Sequence, residues 1–259
     1  MLTYNSDAET RAFCNWVEST NPSGIHNRVS GDYEVGTGDW VFRCPEWTAW
    51  LGSLQERCLW LHGIPGSGKT VLASHLTRKL DELSCAKSNA ANLYYYCHYR
   101  HAQDESRPFL RWIISQLCRK AKCVPDELHD CYESNQDPSM VVLLAGLAEI
   151  LDRYDHVYVT LDAVDESNER SELLRTINSL CTDPLFSTMQ LLVTSRRYHD
   201  IEVAMTAVSR PLSMSNDAVK EDIRHYVSVT LQRDSKLRRW PGELLVDIEH
   251  ALAEGAQGM

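Results

Sequence analysis

Residues 58–74 read CLWLHGIPGSGKTVLAS. The apolar run Leu59-Trp60-Leu61 has strand length and is stopped by Gly63. From there residues 63–70 fit G-x-x-x-x-G-K-[ST] at every position. Val71, Leu72, His75, Leu76 and Leu80 then recur at helical spacing. Strand, glycine loop and helix in that order make a phosphate-binding loop. Gly63, Gly66 and Gly68 can adopt backbone angles closed to other residues and carry no side chain to block a ligand, so loop N–H groups can point inward at an anion. The expected guest is the polyphosphate of a nucleotide, cradled by Gly63, Ile64, Pro65, Gly66, Ser67, Gly68, Lys69, Thr70 and Val71. Lys69 reaches the β and γ phosphates as a point charge, the positive end of the helix adds to it, and the Thr70 hydroxyl ligates Mg²⁺. A glycine turn with a surface lysine leaves the third glycine and the threonine unexplained.

A strand-and-acid pattern follows about 95 residues downstream, in Val157-Tyr158-Val159-Thr160-Leu161-Asp162-Ala163-Val164-Asp165-Glu166. An apolar strand ending in aspartate delivers a carboxylate to the carboxyl edge of a parallel sheet, where ligands bind in open α/β folds. Asp162 is placed to hold the Mg²⁺ that Thr70 contacts, and Asp165 or Glu166 to polarise the attacking water. Another apolar run, residues 189–194, ends in Ser195-Arg196-Arg197, which repeats the edge logic with opposite charge. Arg196 is expected beside the terminal phosphate and Arg197 in solvent.

The chain has 259 residues, 43% of them hydrophobic and 24% charged, as in a soluble globular protein. A net charge of −10 argues against general nucleic-acid or anionic-membrane binding. No 18-residue apolar run and no signal-peptide pattern occur. The nine cysteines, an odd number without a C-x-x-C pair, point to a reducing compartment, the cytoplasm. Cys97, His98 and His101 have the crowding of a metal site, but donors on one extended stretch converge poorly, and satisfied polar groups at a strand end account for them better.

Three regions are expected. Residues 1–52 form a linker and flap: Phe13, Trp16 and Val17 mark a connector helix that ends at Asn21-Pro22-Ser23-Gly24, and Gly36-Thr37-Gly38 precedes the aromatics Trp40, Phe42, Trp47 and Trp50. That flap either covers the nucleotide domain as a plain lid or helps hold the base. Residues 53–214 form the nucleotide-binding domain, with further strands near residues 91–99 and 209–214 and helices opening at Pro108, Pro125 and Met140. The tyrosines of residues 94–96 read as strand packing. Residues 215–259 form a small helical subdomain with amphipathic helices over 217–231 and 242–253.

The order WLHGIPGSGKT, YVTLDAVDE, LLVTSRR, preceded by GTGDWVF and followed by DIRHYV, resembles the NACHT domain, in the form found in fungal NOD-like receptors. The resemblance covers about residues 15–259. It implies a P-loop NTPase with three α/β/α layers and a mostly parallel five-stranded sheet, ordered 2-3-1-4-5 when the strands are counted along the chain. It implies that Asp162 binds Mg²⁺, that Asp165 and Glu166 serve hydrolysis, and that Arg196 senses the γ-phosphate. It further implies slow hydrolysis of ATP or GTP, self-association in the triphosphate state, and a longer protein with an N-terminal effector and C-terminal repeats. In such proteins a winged-helix domain continues beyond Gly258-Met259, so the chain is expected to be a fragment without the histidine that retains the diphosphate. The rival classes are a nucleotide-binding scaffold without turnover, a small-molecule kinase and a DNA-dependent ATPase. The acids of residues 162–166 weigh against the first two, and the net charge weighs against the third.

Overall fold

The computed structural model describes residues 2–4 and 6–255; Gly258 and Met259, the expected fragment end, lie outside them. β1 (Leu2–Tyr4) is followed by α1 (Asp7–Val17), α2 (Ser23–Gly31) and α3 (Pro45–Gly52). Then come β2 (Cys58–His62), α4 (Lys69–Cys85), β3 (Ala90–Tyr96), α5 (Ser106–Ala121), β4 (Cys123–Pro125), α6 (Asp126–Glu133) and α7 (Met140–Leu151). The chain continues through β5 (His156–Asp162), α8 (Ser171–Thr182), β6 (Met189–Ser195), α9 (His199–Thr206), β7 (Arg210–Ser213), α10 (Asp217–Arg233) and α11 (Gly242–Gly255).

Among the described residues the main sheet is five-stranded and parallel, in the order β3-β5-β6-β2-β7. Counted along the chain this is 2-3-4-1-5, which corrects the expected 2-3-1-4-5. β6 lies between the strand of the phosphate loop and the strand that ends in Asp162. Both β2 and β6 are buried at every position, so apolar content could not rank them. The order is held by side chains that need β6 in the middle. Thr194 donates to Asp162 of β5 on one side, and the Trp60 indole of β2 donates to Ser195 on the other. β7 takes the edge, where the missing N–H of Pro211 is tolerated.

Because successive residues of a strand face opposite ways, each buried strand feeds two cores. Trp60 points into the larger one with Tyr95, Val157 and the apolar faces of α1, α5, α7 and α8. Leu59 and Leu61 point into the smaller one with Trp40, Trp47, Trp50 and the Leu72, Leu76, Leu80 stripe of α4. The α/β/α layering is therefore present. The expected connector helix belongs to the larger core: α1 starts in a capping box between Ser6 and Glu9 and buries Phe13, Cys14 and Val17 completely, packed on α5. Its apolar face is thus part of the domain's packing rather than of a free linker. α1 ends at Val17 ahead of the turn at Asn21-Pro22, as expected, but Ser23-Gly24 opens α2, and the two-stranded pairing of β1 with β4 has no sequence signal of its own. α2, α3, α8 and α9 were likewise not anticipated. The tyrosines pack as expected: Tyr95 and Tyr96 are buried, and Tyr94 stacks on His26 at 4.0 Å.

Candidate nucleotide site

β2 ends at His62, and the loop of residues 63–68 turns directly into α4, so the first-turn N–H groups of that helix face the loop's hollow. Gly66 and Gly68 have φ of +78° and +79°, the left-handed region that only glycine enters freely. Gly63 is needed for a different reason. A Cβ there would stand 2.7 Å from Met214 Cβ and 2.8 Å from Ser67 Oγ, so the loop is wedged against the end of β7. Lys69 folds back into the loop and donates to Gly63 O at 3.0 Å and Ile64 O at 2.7 Å. Burial pulls its pKa below the ordinary lysine value, against the pull of the Asp165 and Asp162 carboxylates. Those carbonyl bonds are what phosphate oxygens would replace.

At the carboxyl edge the Asp162 carboxylate is almost wholly buried. Thr194 Oγ1 donates to Asp162 Oδ1 at 2.5 Å, and the Thr70 hydroxyl faces the same carboxylate and helps to lower its pKa. Burial pushes the Asp162 pKa up to about 6, and the two hydroxyls hold it below where burial alone would take it. Thr194 also accepts from Ala163 N at 2.9 Å, which pins the turn after β5 with Ala163 at φ +58°. Thr70 and Asp162 thus meet across the intervening strand. Thr194 was missed as a functional residue: its signal was a hydroxyl at the end of an apolar strand, next to the arginines that drew attention.

Asp165 and Glu166 sit on the short 3-10 turn after β5. Asp165 accepts from Arg196 N at 2.9 Å and pairs with Arg196 Nε at 3.2 Å, its side chain nearly buried. Arg196 also reaches the Tyr198 hydroxyl. The two groups expected on the water and on the terminal phosphate therefore face each other. Glu166 accepts from Tyr99 N at 3.2 Å, and together with Asp165, Asn168 and Arg196 it lines a cavity of about 460 Å³. Arg197 pairs with Glu202 at the surface, as its solvated reading implied. His101 Nδ1 lies 2.6 Å from the buried Glu105, and no cluster of metal-ligating side chains occurs among the described residues.

A cavity of about 840 Å³ opens from the phosphate loop between the flap and α10. Gly66, Gly68 and Val71 form its floor, Tyr33 and Thr37 one wall, and Val219, Ile223 and Tyr226 of α10 the other. The tryptophans lie beneath this wall in the smaller core, so the flap is packed by its aromatics and meets the cavity with its glycine turn. Tyr33 stacks on His75 at 4.2 Å. His75 Nδ1 accepts from Arg78 at 3.0 Å, which leaves Nε2 to donate to Asp39, also at 3.0 Å. The flap is thereby bonded to α4. His75 counted only as part of a helical stripe in the sequence, and nothing there linked it to Asp39.

A family model described as nephrocystin 3, N-terminal, matches residues 36–196, well over half of the chain. The chain belongs to this family. The nephrocystin 3 N-terminal match contains the phosphate loop, the acids after β5 and Arg196, and stops before α10. The chain is also similar to the vegetative incompatibility protein HET-E-1 of Podospora anserina, at 24% identity over 204 residues. That alignment takes in 74% of this chain and 15% of the fungal protein, so the chain spans a small part of that relative's length. With the site geometry, these findings make this nephrocystin 3 N-terminal relative a NACHT-type, P-loop nucleotide-binding domain. Among solved structures, Cdc6p from Pyrobaculum aerophilum is similar over 92% of this chain and 66% of its own, with 17% identity and a TM-score of 0.49. The Aeropyrum pernix Orc1 protein, solved in complex with DNA, is similar over 86% of this chain and 64% of its own, with 15% identity and a TM-score of 0.42.

Proposed function

We propose that this domain is a nucleotide-dependent signalling switch that binds ATP or GTP with Mg²⁺ and hydrolyses it slowly in the cytoplasm. In this reading the diphosphate form is closed and monomeric, and the triphosphate form self-associates within a longer receptor carrying effector and repeat regions. The observation that carries the reading is the convergence of the Thr70 and Thr194 hydroxyls on the buried Asp162 carboxylate beside the phosphate loop. The donor set suits Mg²⁺, which takes one or two protein oxygens and fills its octahedron with waters and phosphate oxygens. Thr70 and Asp162 would hold the ion, and it would neutralise charge on the β and γ phosphates.

The remaining work falls to the chain's own groups. Lys69 exchanges its carbonyl partners for phosphate oxygens, and the N–H groups at the start of α4 bind the β-phosphate. Arg196 leaves Asp165 for the γ-phosphate, which frees the Asp165 carboxylate to orient water together with Glu166. Moving a population from 1:99 to 99:1 takes about 5.5 kcal/mol of differential affinity. A charge-assisted hydrogen bond contributes about 1.5–3 kcal/mol, so two or three contacts made only to the γ-phosphate suffice. Lys69, Arg196 and the metal held by Thr70 and Asp162 supply that number.

A second reading, a scaffold that binds nucleotide without cleaving it, is favoured by the Asp165–Arg196 pair, in which both groups neutralise each other. Titration with ATP, GTP and ADP, with and without Mg²⁺, together with phosphate release, separates the two. The switch requires Mg²⁺-dependent triphosphate binding and slow release of phosphate. Tight binding with no phosphate release selects the scaffold, and absence of nucleotide binding refutes both.

A further inference from the structure

The Gly36-Thr37-Gly38 turn has a second set of contacts besides the cavity wall, all with one face of α10. Asp222 Oδ2 accepts from Gly38 N at 2.7 Å, and His225 Nε2 donates to Val35 O at 2.9 Å. Arg233 forms a two-pronged ion pair with Glu34, at 2.5 and 3.1 Å. Residues 222, 225 and 233 recur at intervals that keep them along one side of a helix. The turn is built for this approach. Gly36 has φ +92° and a Cβ there would lie 3.3 Å from His225 Nε2; Gly38 has φ +78° and a Cβ there would lie 2.6 Å from Leu72 Cδ1. Each glycine thus lets the turn sit close to a different helix, Gly36 to α10 and Gly38 to α4. Asp39 on His75, by contrast, ties the flap to α4.

Resting on the nucleotide-site reading above, we propose that Asp222, His225 and Arg233 are positioning residues that clasp the flap over the nucleoside half of the bound nucleotide. The clasp closes the cavity of about 840 Å³ between the phosphate loop and α10. The phosphate loop holds the polyphosphate, whereas residence time is set by the clasp, because the nucleoside leaves only when α10 parts from residues 34–38. Asp222 is the central element. It is half-buried on the cavity wall, and removing its carboxylate strands the Gly38 N–H. The Arg233–Glu34 pair is more exposed on its arginine side and contributes less.

The test measures release of tritiated ADP and GDP after dilution into unlabelled nucleotide, alongside affinity for inorganic tripolyphosphate, which has no nucleoside. Asp222→Ala is expected to speed nucleotide release roughly tenfold, and Arg233→Ala about threefold. Neither changes tripolyphosphate affinity. The exchanged pair Glu34→Arg with Arg233→Glu restores slow release relative to either single change. Arg233→Ala carries the test even if Asp222→Ala folds poorly, since Arg233 is largely exposed. Release at the wild-type rate in both variants overturns the clasp, as does an equal loss of nucleotide and tripolyphosphate affinity, which would make these residues merely structural. Wild-type protein that binds neither ligand sinks the nucleotide site itself, and the clasp with it.

Discussion

Replacing Asp162 by asparagine should stabilise the nucleotide-free protein while removing its response to Mg²⁺ and nucleotide. The carboxylate is buried, and its pKa in the folded chain is about 6 against an ordinary value of 3.8. A carboxyl whose folded pKa is raised binds its proton more tightly in the fold, so folding is opposed when the group must ionise. No penalty exists below pH 3.8, and it is complete above pH 6. The interval between the two pKa values corresponds to about 3 kcal/mol at pH 7.5. The bonds from Thr70 and Thr194 are already included, because they lower the same pKa. The substituted amide carries no charge and keeps an oxygen for one of those hydroxyls. The variant should therefore exceed the wild type by up to about 3 kcal/mol in denaturant unfolding at pH 7.5, and by about half of that at pH 5. With Mg²⁺ and nucleotide at about a hundred times the dissociation constant, the wild type should regain about 2.7 kcal/mol and the variant nothing. A variant that is less stable than the wild type at pH 7.5, or whose advantage does not shrink toward pH 5, refutes the account of Asp162 as a strained metal-binding carboxylate. Undiminished stabilisation of the variant by Mg²⁺ and nucleotide refutes its assignment to the metal.

Lys69→Ala should abolish nucleotide binding with little change in nucleotide-free stability, because its partners are loop carbonyls and Ser67, which water can serve; unchanged affinity in a titration with labelled nucleotide defeats the site assignment. Gly63→Ala drives a methyl group to 2.7 Å from Met214 Cβ and should lower stability by about 1–3 kcal/mol together with nucleotide affinity, as read by thermal melting and titration. A melt within experimental scatter of the wild type would show that the loop is not wedged. Asp165→Asn should retain nucleotide binding, lose phosphate release and free Arg196 from its ion pair; loss of binding and turnover in equal measure would make Asp165 structural.

The pairing of Arg196 with Asp165 bears on how such a switch is held at rest. In the proposed switch both groups belong to the reacting end of the site, yet each satisfies the other, so a triphosphate would have to offer Arg196 a better partner than a nearly buried carboxylate. The proposed clasp on α10 would act at the opposite end of a bound nucleotide, so that phosphate recognition and nucleoside retention would be carried by separate elements.

The sequence by itself determined the phosphate loop, the acid after β5, the α/β class and most of the helices that cover the sheet. Each of these is written in contiguous residues: glycines where the loop turns, short continuous apolar runs for the strands, apolar residues at a period near four for the helices, and a carboxylate where a strand ends. Tertiary structure alone decided that β6 lies between β2 and β5, because two runs buried at every position are interchangeable until Thr194 and Ser195 find their partners on either side. It also decided that Asp165 faces Arg196 and that a turn at residues 34–38 closes on a helix at residues 222–233. Those contacts join segments far apart in the chain, and polar side chains become partners only where the packing of apolar faces has already brought them together.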